Sequence, residues 1–287
     1  MMSRKLIIAG LIAAFALILA ATPLLAAQPN PKLEKAAKVF LDVMGSDEGL
    51  ALMQNVAILK KAGLSYQPEL VVPTAEVIDC KSNEQVRILM GMYAFDTNYA
   101  AVFGKKKEFL ASRKVMFEDI TEKLDLPALR KIRAMAPARL KKVAEDPGQP
   151  ANRKALLANW RDQMKKQMAL AAKDPELMDV YVDSLYGSMI ECLYVSCKLA
   201  LSSGLGDAMI ALFNYNALRL TNLEKVLQAV ADDKELAAMM ERGERKQVTD
   251  PVLKILKNKK GKLTKEDVGK ILALVKPVRT PLVKQCK

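Results

Sequence analysis

Histidine is absent from this 287-residue chain. That one absence removes every Ser–His or Cys–His nucleophile pair, every His-ligated zinc or iron site and the Cys-x-x-Cys-His haem attachment. Any catalysis has to rest on carboxylates, Tyr, Lys or Cys. Aromatic residues are scarce at 5%, while Ala, Leu and Met abound, a balance that favours helix over sheet. Alternation of the strand type is confined to residues 70–72, so the expected fold class is all-α, a multi-helix bundle. Cysteine is limited to Cys80, Cys192, Cys197 and Cys286, and no Cys-x-x-Cys spacing supports a thioredoxin-like redox centre.

Long apolar runs are missing except at the start. Arg4 and Lys5 precede an unbroken apolar and small-residue run over residues 6–20, and Thr22 and Pro23 break it before Leu25, Ala26 and Ala27. This is the layout of a secretory signal with small residues at its cleavage site, and the run is short for a span of about 20 residues. The expectation is a signal peptide over residues 1–27 and a periplasmic or secreted mature protein with no transmembrane domain. Retention as an uncleaved membrane anchor is the alternative. In an oxidising compartment an even cysteine count reads as disulfides. Cys192 and Cys197 fall on one predicted helix, about 140° apart around its axis, and diverge too far to bridge. Cys80 and Cys286 are therefore each expected to bond one of that central pair, with four free buried thiols as the competing reading.

Acidic residues are sparse towards the C-terminus. Residues 250–287 hold 11 Lys and Arg against Asp250, Glu266 and Asp267, whereas residues 28–249 carry a net charge of only +3. A basic end points to one face for an anionic partner, an envelope component or an acidic protein. Export argues against nucleic acid. A solvated helix surface is the plain alternative.

Helix punctuation divides the rest. Asn30 and Pro31 open a segment reaching about residue 45. A second is expected over residues 46–63, then a loop, then a capping box of Ser82 and Gln85 opening a helix to about residue 104. Further helices are expected over residues 106–124, from Pro127, and over 152–173, 174–203, 207–231, 233–247, 251–259 and 265–276. The run Asp146, Pro147, Gly148, Gln149, Pro150 is the clearest linker. It divides the mature chain into helical lobes over residues 28–146 and 151–249, followed by the basic tail over 250–287.

Two segments echo each other. Residues 91–99 read Gly-Met-Tyr-Ala-Phe-Asp-Thr-Asn-Tyr and residues 187–194 read Gly-Ser-Met-Ile-Glu-Cys-Leu-Tyr. Each sets a Gly, an acid four or five residues on, and a Tyr three beyond the acid. The pair resembles the two signature helices of exported all-helical bacterial proteins of unassigned function, so the resemblance implies export and a helical fold and no activity.

Asp96 is the most unusual residue, because the helix around it is apolar on nearly every side and places it among Leu89, Met92 and Phe103. An ionised carboxylate there is costly unless hydrogen-bonded or paired. Two readings follow: a site acid beside Tyr93 and Tyr99, or a structural carboxylate satisfied by a neighbour, which is the favoured one. Glu191 lies on a mildly polar stripe with Tyr194. Tyr93, Asp96, Tyr99, Glu191 and Tyr194 together make the candidate ligand-binding set, for a hydrophobic or anionic ligand. If Asp96 and Glu191 met in an open cleft, they would suit carboxylate-dependent hydrolysis; a sealed core favours binding or scaffolding without catalysis. Methionines such as Met90, Met92, Met164, Met168, Met189, Met239 and Met240 would suit copper(I), yet they fall at helical spacing among Leu and Ala, where Met fills cores. No cofactor and no metal site are expected.

Overall fold

A computed structural model describes residues 30–44, 56–73, 77–134, 160–230, 243–259 and 262–285, with the isolated residues 149 and 151. The signal segment, most of the 146–150 linker and Cys286 lie outside the described residues. The fold is all-α, and no strand occurs among the described residues. The helices are α1 (Pro31–Met44), α2 (Val56–Lys61), α3 (Asn83–Val102), α4 (Lys106–Lys114), α5 (Ile120–Leu124), α6 (Pro127–Ala134), α7 (Trp160–Ala171), α8 (Pro175–Ser203), α9 (Asp207–Val230), α10 (Gly243–Lys259) and α11 (Lys265–Val283). A π-helical turn, Val115–Asp119, joins α4 to α5 without a break.

Helix starts follow the sequence closely. Ser82 accepts from Gln85 N while the Gln85 side chain accepts from Ser82 N, completing the expected capping box of α3. Asp174 caps α8 by accepting from Leu177 N at 3.0 Å, with Pro175 in the first turn. These caps fix where α3 and α8 begin. Their apolar residues, spread around the whole circumference, then drive both to the centre of the bundle, where they pack most extensively against each other. Leu89, Met92, Met189 and Leu193 are all buried there, each contributing about 1.5–3 kcal/mol of burial. Helices α9 and α11 lie against α8, and α1 packs on α9 and α7. One apolar core draws side chains from both predicted lobes and from the tail.

The central crossing explains the internal echo. A Cβ added at Gly91 would meet the Ser184 carbonyl, 2.6 Å from its carbon, and sit 2.7 Å from Ser188 N, and one at Gly187 would sit 2.8 Å from Ile88 C. Each glycine thus lets the other helix's backbone press in, and the Ser184 hydroxyl donates to Arg87 O across the contact at 3.2 Å.

Three sequence expectations are corrected. Residues 243–259 form one helix through Pro251, where separate helices over 233–247 and 251–259 were expected. Helix α11 continues through Pro277 and Pro281 to Val283, where a stop at residue 276 was expected. Both prolines face solvent, while Val275, Arg279 and Leu282 are anchored in the core and carry the helix onward. Finally, Cys192 and Cys197 are thiols, 1% and 0% exposed, so neither bonds Cys80 or Cys286. Cys80 is exposed, in the turn before α3. Burial pushes the Cys197 thiol well above its ordinary pKa.

Candidate functional site

Asp96 and Glu191 are both buried in the core, near enough for the Glu191 charge to act on Asp96. Asp96, on α3, is 1% exposed; Glu191, on α8, is 0% exposed. Between them and solvent lie α11 and the segment over residues 66–73. Arg279 of α11 grips Glu191 with both edges of its guanidinium, Nε to Oε2 and Nη2 to Oε1, each at 2.7 Å. The same Nη2 donates to Leu70 O at 2.7 Å, and the guanidinium lies 4.0 Å from the centre of the Tyr194 ring. Asp96 Oδ2 accepts from Val72 N at 2.8 Å, and its Oδ1 is buried without a hydrogen-bond partner. The Tyr93 hydroxyl donates to Pro73 O at 2.6 Å, and the Tyr99 hydroxyl accepts from Gln67 N at 3.2 Å.

Arg279 is thus bonded to Glu191 alone of the two carboxyl groups, and it acts on Asp96 only through its charge. Burial, and then the nearby Glu191 charge, push Asp96 well above the usual carboxylate range, against the pull of Val72 N–H and Arg279. Burial raises Glu191 too, but its paired hydrogen bonds with Arg279 oppose that rise directly. Of the two, Asp96 is held further towards its protonated form, because Glu191 has the paired Arg279 hydrogen bonds that Asp96 lacks. Burial also raises the Tyr93 and Tyr99 phenols, so both stay neutral hydrogen-bonding groups.

Tyr93, Asp96 and Tyr99 bond residues 67–73 directly, while Glu191 and Tyr194 join them through Arg279, which bonds Leu70 O. Asp96 has a backbone N–H as its donor, supplied by an extended segment. Sequence reading missed Arg279, which it counted among the tail's surface cations. The signal was present: Val268, Ile271, Val275 and Leu282 form a buried stripe on α11, and Arg279 falls on it.

A second charged cluster was missed altogether. Arg87 of α3 bonds Asp183 Oδ2 at 2.7 Å and Asp179 Oδ2 at 3.0 Å on α8. Arg245 of α10 bonds Asp183 Oδ1 and lies 5.3 Å from the Tyr186 ring centre. Arg87 and Asp183 each stand one turn before a crossing glycine, so the close approach at Gly91 and Gly187 is what brings the opposite charges together.

No group of acids and cysteines among the described residues is arranged to hold a metal ion. Met92, Met164, Met168 and Met189 are core side chains. An open surface dent of about 300 Å³, lined by residues including Glu224, Asp250 and Lys254, lies on α9 and α10 and includes none of the carboxylate pair's residues. Comparison with protein-family models, curated proteins and solved structures finds no match to the chain.

Proposed function

We propose that this chain is an exported all-α binding or scaffold protein that works without catalysis, holding an anionic envelope surface through its basic C-terminal end. One observation carries the non-catalytic part: both carboxylates suited to acid–base chemistry are sealed, and Glu191 is committed at both oxygens to Arg279. The hydrolase alternative needs a cleft that exposes them to a glycosidic bond and a water. The resemblance of residues 91–99 and 187–194 to exported helical proteins supports the compartment. No described helix is long and apolar enough to cross a membrane.

The basic end is smaller than its count implies. Arg279 is spent in the core, and Lys257, Lys259 and Lys270 lie against Glu224, Asp267 and Glu266. Lys254, Lys262, Lys265 and Lys276 stand exposed and supply the face. Each lysine near an anionic lipid surface contributes about 1 kcal/mol, so changing all four to Gln is expected to weaken retention on phosphatidylglycerol vesicles by roughly two orders of magnitude or more. Retention is also expected to vanish in about 0.5 M salt. Equal retention on neutral vesicles, or indifference to salt, overturns the reading. Protein extracted from the envelope serves for this test, and its first residue is expected at or next to Gln28; an intact Met1 on membrane-bound material supports the anchor instead.

With Cys192 and Cys197 as thiols, the expected bonds to the central pair are lost, and we propose a different pairing, a Cys80–Cys286 bond. It is supported by Lys81, next to Cys80, whose ammonium donates to Pro281 O at 2.8 Å and Lys284 O at 2.9 Å, drawing the end of α11 to this turn. Unfolding without reductant, followed by alkylation and peptide mapping, is expected to label Cys192 and Cys197 and to return Cys80 joined to Cys286. Four labelled thiols would sink the bond.

A further inference from the structure

Residues 66–73 sit in the bundle as a bound peptide would. The backbone hydrogen bond among them is Leu70 N to Gln67 O at 3.2 Å, closing the short turn Pro68–Leu70. Four other main-chain groups are taken by side chains of the bundle: Gln67 N by Tyr99, Leu70 O by Arg279, Val72 N by Asp96 and Pro73 O by Tyr93. Leu70 and Val72, two residues apart, are 4% and 1% exposed, while Val71 is half-buried and Pro73 exposed. Tyr66 lies against Tyr99 with ring centres 4.9 Å apart. Main-chain groups held on both sides of the Pro68–Leu70 turn, with apolar seats for Leu70 and Val72, make up a mode of peptide recognition that reads backbone and two side chains.

We propose that Tyr93, Asp96, Tyr99 and Arg279 form a groove for a peptide that carries one short turn followed by two apolar side chains two residues apart, and that residues 66–73 occupy it in cis. This deepens, and rests on, the reading of the chain as a binding protein. The groove recognises backbone through neutral phenols, a carboxyl group and a guanidinium, so it selects conformation and two apolar seats rather than a particular sequence. The occupant in trans is a partner's segment with a short turn like Pro68–Leu70 and Leu or Val two apart. Glu191 acts behind the groove as a positioning residue, because its two bonds to Arg279 aim the third at Leu70 O.

A tethered segment competes at an effective concentration of about 1 mM, so a peptide in trans binds measurably only once the tethered one is weakened. Leu70→Ala/Val72→Ala empties both seats and leaves every groove side chain in place. The probe is a fluorescein-labelled synthetic peptide of residues 66–73, read by anisotropy. The double variant is expected to bind it at least roughly tenfold more tightly than the wild type, given the loss of cis competition. The same peptide with Ala at both seats is expected not to bind. A double variant that is folded by circular dichroism and fails to bind overturns the groove, as does equal binding by the wild type.

If the double variant does not fold, amide exchange in the wild type decides. Gln67 and Val72 N–H are then expected to exchange at least roughly tenfold faster than buried α3 amides, through opening of this segment alone. Equal protection means that the segment opens only with the whole protein, and the proposal fails. Vesicle retention is measured on the same samples, so that loss of the groove with retention intact leaves the anionic-surface reading standing.

Discussion

Gly91→Ala and Gly187→Ala are each expected to destabilise the protein by about 3–5 kcal/mol, because the added methyl meets backbone rather than a side chain that can turn aside. At Gly91 it meets the Ser184 carbonyl and Ser188 N; at Gly187 it meets the Ile88 carbonyl. Helices α3 and α8 would have to part at their closest point, taking apart the burial of Leu89, Met92, Met189 and Leu193 and drawing Arg87 away from Asp183. For a domain whose total stability is about 5–15 kcal/mol, either change removes a large fraction of it. Gly269, inside α11, is the control: nothing lies within 4 Å of its added Cβ. There Gly269→Ala is expected to stabilise by about 0.5–1 kcal/mol through helix propensity and the lost freedom of the unfolded chain. Urea unfolding of the three variants gives the comparison. A Gly91→Ala or Gly187→Ala protein within about 1 kcal/mol of wild type would show that the crossing relaxes readily, below the usual cost of overpacking.

The glycine echo was legible in the sequence, but its meaning was not. Residues 91–99 and 187–194 read as related segments; that the two glycines face each other is a pairing across about a hundred residues of chain, which spacing cannot supply. Local signals were legible where they act locally. Ser82 with Gln85, and Asp174 with Pro175, fix helix starts through hydrogen bonds within one turn. Asp96 was legible as buried because its own helix surrounds it with apolar side chains. Glu191 looked milder because its neighbours Gly187 and Ser184 are small, and they are small to admit α3. Arg279 was illegible for two reasons. Pro277 seemed to end the helix before it, and its partner lies 88 residues away. The cysteines failed in the same way: the helical wheel correctly kept Cys192 from Cys197, but nothing local tells a buried thiol from a bridging one.

Changing Arg279 is expected to have the other large effect, and its pH dependence separates the roles of the two carboxyl groups. Arg279→Met leaves Glu191 buried without its counter-charge and Leu70 O without its donor, at a cost of about 3–5 kcal/mol near pH 7. The double change Glu191→Leu/Arg279→Met is expected to recover much of that loss, because apolar residues of similar volume can replace a buried ion pair at little net cost. Asp96 should respond differently. Burial raises its pKa, and its hydrogen-bond partner is the neutral Val72 N–H, so Asp96→Asn keeps the acceptor and is expected to be neutral or stabilising near pH 7. Asp96→Ala strands that N–H and is expected to cost about 1–3 kcal/mol. The sign with pH follows from the raised pKa. Below the unfolded value of 3.8 both states hold the proton and the group adds no slope. Above it the unfolded chain loses its proton while the native protein keeps it, so wild-type stability falls relative to Asp96→Asn by about 1.4 kcal/mol per pH unit until the native pKa is passed. Urea unfolding of wild type and Asp96→Asn from pH 4 to pH 8 measures that difference directly. A constant gap across the range would mean that Asp96 is ionised in the native protein, and that Arg279 serves both carboxylates at once.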